Sequence, residues 1–220
     1  MCSPATPTPR ISVERNSLSR EVEDIFKAAG AILEGHFELA SGRHSATYWE
    51  KFRVLCYPHH TERLCRMIAE HFEGEGVQVV AGPALGGMII AFEVARHLGV
   101  RGIYAEREGE GRAFRRGFAV EPGERALIVD DVLTTGASIL EVIKAVKRCG
   151  GKIVGAGVLV DRSQGGIDLI RLADSDTSLG GVPFFSCHQV LIPTYTPEEC
   201  PLCAQGIPLT KPGSIIREQP

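Results

Sequence analysis

The segment ALIVDDVLTTGAS, Ala126 to Ser138, sets two carboxylates, Asp130 and Asp131, after an apolar run and before a hydroxyl- and glycine-rich turn. Adjacent like charges repel unless a positive or hydrogen-bonding partner shares the site. The residues that follow are Val132, Leu133, Thr134, Thr135, Gly136, Ala137 and Ser138, and they point to that partner. A strand that ends in such a turn and enters a helix presents backbone N–H groups at a positive dipole end, a cradle for phosphate. Gly136 lets the backbone approach closely, and Thr134, Thr135 and Ser138 add hydroxyl donors. The Lys-Ser/Thr of a Walker loop is missing, and the acids precede the loop, unlike the dinucleotide fingerprint. Acids beside a phosphate cradle suit a sugar phosphate with vicinal hydroxyls and a hydrated divalent cation, and a ribose 5-phosphate fits. The plainer alternative makes Asp131 a helix-cap neighbour and Thr-Thr-Gly a simple turn. It leaves the acid pair after a buried strand unexplained.

Such a site needs a sheet to hold it. Apolar spacing predicts helices over Glu21–Ile32, Thr61–Phe72 and Met88–Leu98, and another marked by Ile139, Val142, Ile143 and Val146. Strands are expected at Val77–Ala81, Gly102–Ala105, roughly Arg112–Phe118, Arg125–Val129 and Lys152–Val160. Gly35–Phe52 has strand composition around a Ser-Gly turn. Strands alternating with helices imply an α/β fold, a mostly parallel sheet covered on both faces. After Gly165 the pattern changes: VPFFSCHQVLIPTY reads as one or two strands, and CPLCAQGIPLTKPGS as a tail without helical period. Together they are expected to form a small hood. The organisation expected is a disordered lead-in at 1–15, a main domain at 16–195 and a Cys- and Pro-containing tail at 196–220.

Bulk properties narrow the partners. With 44% hydrophobic and 23% charged residues the 220-residue chain has ordinary globular composition. A net charge of −3 gives no electrostatic case for nucleic acid or an anionic membrane. The longest apolar-leaning run, Val79–Phe92, falls short of the roughly 18 residues of a spanning helix, and Gly82-Pro83 interrupts it. MCSPATPTPRISVER has no apolar core, so a secretory leader is not expected. Seven cysteines, odd in number and mostly isolated, favour a reducing, cytoplasmic compartment. Cys200 and Cys203 have the spacing of half a zinc site, with Cys187 and His188 as distant candidates for the remainder. Lacking a second close pair, they are expected to be two structural thiols.

VDDVLTTGAS resembles the phosphoribosyl-pyrophosphate signature of the type I phosphoribosyltransferases. GHFELASGRHS, GPALGGM, YAEREGEGRAFRRGF and LVDRS narrow the resemblance to the orotate phosphoribosyltransferases, and the CPLC tail is similar to one branch of them. The likeness spans roughly Ile32–Ser214. It implies the type I phosphoribosyltransferase fold, transfer of ribosyl phosphate from phosphoribosyl pyrophosphate to orotate with Mg2+ present, and a homodimer. By the same resemblance Asp130 and Asp131 hold the ribose hydroxyls, directly or through hydrated Mg2+, Val132 and Leu133 belong with them to the phosphoribosyl-pyrophosphate site, and Thr134, Thr135, Gly136, Ala137 and Ser138 cradle the 5-phosphate. Pro83, Ala84, Leu85, Gly86 and Gly87 close around pyrophosphate. Arg107 is the catalytic loop cation, with Arg112, Arg115 and Arg116 as further candidates, and Arg162 with Thr134 meets orotate. The ring nitrogen of orotate is acidic, so no strong protein base is required.

The chain departs from the pattern in places. Ala40 and Gly86 stand where many members carry Lys, and Arg107 where a catalytic Lys is common. Lys51 is a candidate substitute cation. Arg43 and His44 are candidates for substrate or dimer contacts, or for stabilising the turn. Two other readings stay open. One is a transferase for another nucleobase. The other is a non-catalytic regulator that binds phosphoribosyl pyrophosphate, for which a basic face or added DNA-binding domain is the expected mark and neither is seen.

Overall fold

The computed structural model describes residues 10–39, 41–163 and 183–212. Largely apolar runs form the buried strands of one sheet. Helix α1 (Arg10–Ala28) leads into a hairpin of β1 (Ile32–Glu38) and β2 (His44–Trp49), closed by a turn in which Gly42 takes a φ of +75°. A short α2 (Phe52–Leu55) and α3 (Pro58–His71) follow. Then come β3 (Val79–Pro83), α4 (Gly86–Leu98), β4 (Arg101–Glu108), β5 (Gly111–Phe114) and β6 (Arg125–Leu133). The chain continues with α5 (Ala137–Arg148), β7 (Lys152–Asp161), β8 (Phe184–Gln189) and a single turn, α6 (Pro201–Ala204).

The six-stranded sheet has the order β5-β4-β3-β6-β7-β8, parallel except for β5, which pairs antiparallel with β4. Side chains alternate between its faces. Val80, Leu127, Val129 and Leu159 pack with α1, α3 and α4 through Phe26, Leu64, Ile68, Phe72, Ile90 and Val94. Val79, Ala81, Ala126, Ile128 and Val158 pack on the other face with α5 through Ile139, Val142, Ile143 and Val146. Gly155 and Gly157 of β7 bring α3 close: a Cβ there would lie 2.2 Å from the Phe72 ring and 2.7 Å from Ile68.

Three expectations need correction. Residues 10–15, expected within the lead-in, belong to α1, which starts at Arg10 directly after the N-terminal prolines; residues 1–9 lie outside the described residues. Phe184–Gln189 does not join a hood but forms the outer strand of the main sheet, parallel to β7. The hood is instead the β1–β2 hairpin with the tail laid against it: Phe37 bridges to Thr210 and His44 to Tyr195. Ala40, residues 164–182 and residues 213–220 lie outside the described residues.

Candidate active site

The chain leaves β3 for β4 on one side of the sheet and β6 for β7 on the other, although β3 and β6 are neighbours. The carboxyl ends of these two strands therefore open into the crevice where open parallel sheets bind ligands. Asp130 and Asp131 sit at that end of β6, 7% and 3% exposed. Asp131 Oδ1 accepts hydrogen bonds from Lys51 Nζ at 2.8 Å and from the N–H of Val132 at 2.7 Å. Asp130 Oδ1 accepts the N–H of Asp131 at 2.8 Å. Burial, then the neighbouring Asp131 charge, push the Asp130 carboxyl up to about 7. Burial pulls Lys51 down, but the charge of Asp131 and the hydrogen bond to it outweigh this and raise it.

The loop after β3 forms the facing wall. A Cβ at Gly86 would lie 1.6 Å from Asp131 Oδ2, and one at Gly87 would lie 3.2 Å from Asp130 Oδ1. At position 86, where the resemblance calls for Lys, glycine leaves room for the Asp131 carboxylate. The ammonium reaches Asp131 instead from Lys51, just beyond the hood hairpin. At the end of β6, Asp130 and the residues from Val132 to Ile139 line a small cleft. Thr134 and Thr135 are exposed, Gly136 takes a φ of +76°, and the first turn of α5 carries no acidic residue to neutralise its dipole. Two roomier surface hollows lie elsewhere, one along α1 and His60 and one beside Phe72 and Leu98, and neither includes the acid pair.

The loop arginines separate by partner. Arg112 is buried, with Nε 3.0 Å from Glu141 Oε2 and Nη1 donating to the carbonyls of Ala84 and Ala105 at 3.2 and 3.3 Å. It ties the β4–β5 hairpin to the β3 loop and to α5, a framework position, so its candidacy as a free phosphate ligand is corrected. Arg115 pairs with Glu108 and Arg116 with Glu106 on the surface. Arg107 stands directly opposite Arg112, and its side chain is 69% exposed with Glu141 3.9 Å away. Glu141 lies between these two like charges, a role that its place on the amphipathic α5 did not signal.

Arg162 follows β7, and its N–H bonds the carbonyl of Leu133 at 2.8 Å, which anchors it beside the end of β6. Its Nε is buried without a hydrogen-bond partner, and burial lowers its pKa. The half-buried Tyr48 of β2 lies in the field of Lys51, Arg162 and Asp131, and burial raises its hydroxyl pKa. Sequence reasoning did not single out Tyr48; the only signal was its place three residues before Lys51. Arg43 turns away, holding Thr194 through Oγ1 at 2.9 Å and the carbonyl at 2.6 Å. Of its candidate roles, stabilising the turn is the one the geometry fits.

Residues 59–174 match the phosphoribosyl transferase domain family. Curated orotate phosphoribosyltransferases of Pelotomaculum thermopropionicum and Desulforamulus reducens are 51% and 48% identical over 194 residues, 88% of this chain and 96% of each relative. The chain belongs to the orotate phosphoribosyltransferase family. The crystal structure of the Aeropyrum pernix orotate phosphoribosyltransferase aligns with a TM-score of 0.61 at 29% identity, over 77% of this chain and 93% of that one. The expected type I phosphoribosyltransferase fold, a mostly parallel sheet flanked by helices, is the fold observed. Among the described residues no helix is long and apolar enough to cross a membrane.

Proposed function

We propose that the protein transfers the 5-phosphoribosyl group of phosphoribosyl pyrophosphate to orotate, giving orotidine 5'-monophosphate and pyrophosphate, a step of pyrimidine nucleotide synthesis. The observation that carries this reading is the buried acid pair at the switch point, between a glycine loop and a hydroxyl-lined helix entry. As pyrophosphate leaves, positive charge develops on the ribose ring, and anionic groups fixed nearby stabilise it. Asp130 and Asp131 suit that role and contact with the ribose hydroxyls. The backbone from Val132 to Ser138 suits the 5-phosphate, and Pro83 to Gly87 suits the pyrophosphate. Arg107, exposed on its hairpin, is our candidate for the cation that closes over the leaving group.

Mg2+ fits this pocket. The carboxylates are hard oxygen donors, and a cation beside them would offset the burial and the like charge of Asp131 that raise Asp130. Asp130 and Asp131 would hold it through its water shell, and it would neutralise phosphate charge. The orphaned Nε of Arg162, a residue anchored to Leu133 and acting on Tyr48 by its charge, suits the orotate carboxylate. A homodimer is also proposed: Leu85 and Phe92 are exposed by 69% and 67%, apolar area that a second copy would cover. A cytoplasmic location is in keeping with the free thiols of the described cysteines.

The test is a base panel. The protein is incubated with phosphoribosyl pyrophosphate, Mg2+ and in turn orotate, uracil, hypoxanthine and adenine, and pyrophosphate release is measured. Release with orotate alone is expected. Release only with a purine would remove the orotate assignment, and release with no base would leave a binding regulator. Arg162→Gln is expected to raise KM for orotate roughly 10²-fold while KM for phosphoribosyl pyrophosphate holds. Equal rises in both would move Arg162 out of the base subsite.

A further inference from the structure

The tail cysteines meet two histidines from the far end of the chain. His36 Nε2 lies 3.4 Å from Cys200 Sγ and 3.7 Å from Cys203 Sγ, and His44 Nδ1 lies 3.3 Å from Cys203 Sγ. The two ring nitrogens are 3.0 Å apart, and all four donor atoms fall within 4.8 Å of one another. A tetrahedral zinc centre with two sulfur and two nitrogen ligands has N···N edges of about 3.3 Å and S···N edges of about 3.6 Å. The four distances named agree with those edges to a few tenths of an ångström, within a cluster whose donor atoms spread to at most 4.8 Å.

The surroundings fit an ion. His36 Nδ1 lies 2.7 Å from the carbonyl of Ile207. A proton donated there leaves the Nε2 lone pair facing the cluster, the outer hydrogen bond that fixes a metal-binding tautomer. His36, His44 and Cys200 are buried. His36 falls where the β1–β2 register shifts between Glu34 and Phe37, an irregularity that re-aims a side chain. The backbone on both sides is already paired: Thr210 donates to the carbonyl of His36, and His44 exchanges bonds with Tyr195. Cys187 and His188, the distant candidates, are engaged elsewhere. The Cys187 thiol donates to the carbonyl of Leu64, and His188 stacks on Trp49 and bonds Ser19. The two tail thiols, expected to be structural, thus stand beside two histidines from the hairpin, and chain folding brings a four-ligand set together.

We propose that His36, His44, Cys200 and Cys203 form a closed zinc site that staples the C-terminal tail to the β1–β2 hairpin. Four protein ligands leave no open position, so the ion is structural and not a second reactive centre. Its effect on the pocket is indirect, through the hairpin that carries Tyr48 and leads to Lys51. The inference does not depend on which base the enzyme accepts.

The test uses the full chain, purified under reducing conditions without chelator. Elemental analysis is expected to find about one zinc per chain. Replacement by Co2+ is expected to give the intense visible bands of a tetrahedral thiolate centre. Cys203→Ser, at the most exposed ligand, is expected to lose most of the metal and those bands, whereas His59→Ala with His60→Ala, a surface pair, keeps both. Stripping the ion is expected to speed proteolysis of the tail on the order of ten-fold. Less than about 0.1 zinc per chain with a cobalt spectrum lacking tetrahedral bands would overturn the proposal. So would metal that survives Cys203→Ser but leaves with the His59 and His60 change, or a disulfide joining Cys200 and Cys203 in the reduced preparation. The wild-type spectrum keeps the test decisive even if a variant fails to fold.

Discussion

Replacing Asp130 and Asp131 together by Asn is expected to lower kcat/KM for phosphoribosyl transfer by at least about 10³-fold, with the fold retained. The carboxamides keep the shape of the acids but remove the charge proposed to face the cationic ribose. Stability should change little because two effects oppose. Asp130 is raised in the folded chain to about 7 from an ordinary 3.8, burial being the larger cause. Its contribution to stability is thus full below pH 3.8 and is lost as pH rises through about 7, so the charged form works against folding at neutral pH. Asn at 130 removes that penalty. Asn at 131 removes the counter-ion of Lys51, whose side chain is 32% exposed and keeps some contact with water. A net change within about 1 kcal/mol is expected in urea unfolding at pH 7.5. Near-normal turnover in the double variant would mean that the site lies elsewhere. Lost activity with lost folding would leave only the single Asp130→Asn change to decide it.

The parts of this site that lie close together in sequence were readable, and the parts joined by folding were not. β3, β6 and β7 are largely buried, so each carries an apolar run, Val79–Ala81, Ala126–Val129 and Ile153–Val160, that marks it as a strand. Asp130, Asp131 and the turn to Gly136 follow one another directly, so their chemistry can be argued without knowing the fold. β8 lies after the change of pattern at Gly165 that suggests a hood, and its FFSCHQ mixes polar and apolar residues as an outer strand can. Its pairing with β7 is a choice made by the whole sheet. Lys51 and Asp131 are 80 positions apart, and His36 and Cys200 are 164 apart. Spacing rules written for local motifs have no purchase on either pair. Arg112 misled for a different reason: a charged hairpin looks solvent-facing, yet here Glu141 and two backbone carbonyls hold one guanidinium inside.

Gly82→Ala is expected to destabilise the protein by about 2–3 kcal/mol and to lower kcat/KM roughly 10²-fold. A Cβ at this position would lie 2.2 Å from the carbonyl oxygen of Gly87, 2.6 Å from its carbon and 3.0 Å from the carbonyl oxygen of Val129. All three are backbone atoms, so no side chain can swing aside. Relief requires α4 to move off the end of β3, or β3 to part from β6. Either movement separates the loop at Pro83 to Gly87 from the acids at the end of β6, and that separation is the site. Gly111→Ala is the matched control, since nothing lies within 4 Å of a Cβ there and the backbone is unstrained. It is expected to shift stability by less than about 0.5 kcal/mol. Urea midpoints and steady-state kinetics on both variants make the comparison. Wild-type stability and turnover in Gly82→Ala would show that the two strand ends need not approach so closely. The β3 loop would then lose its place as the wall facing the acid pair.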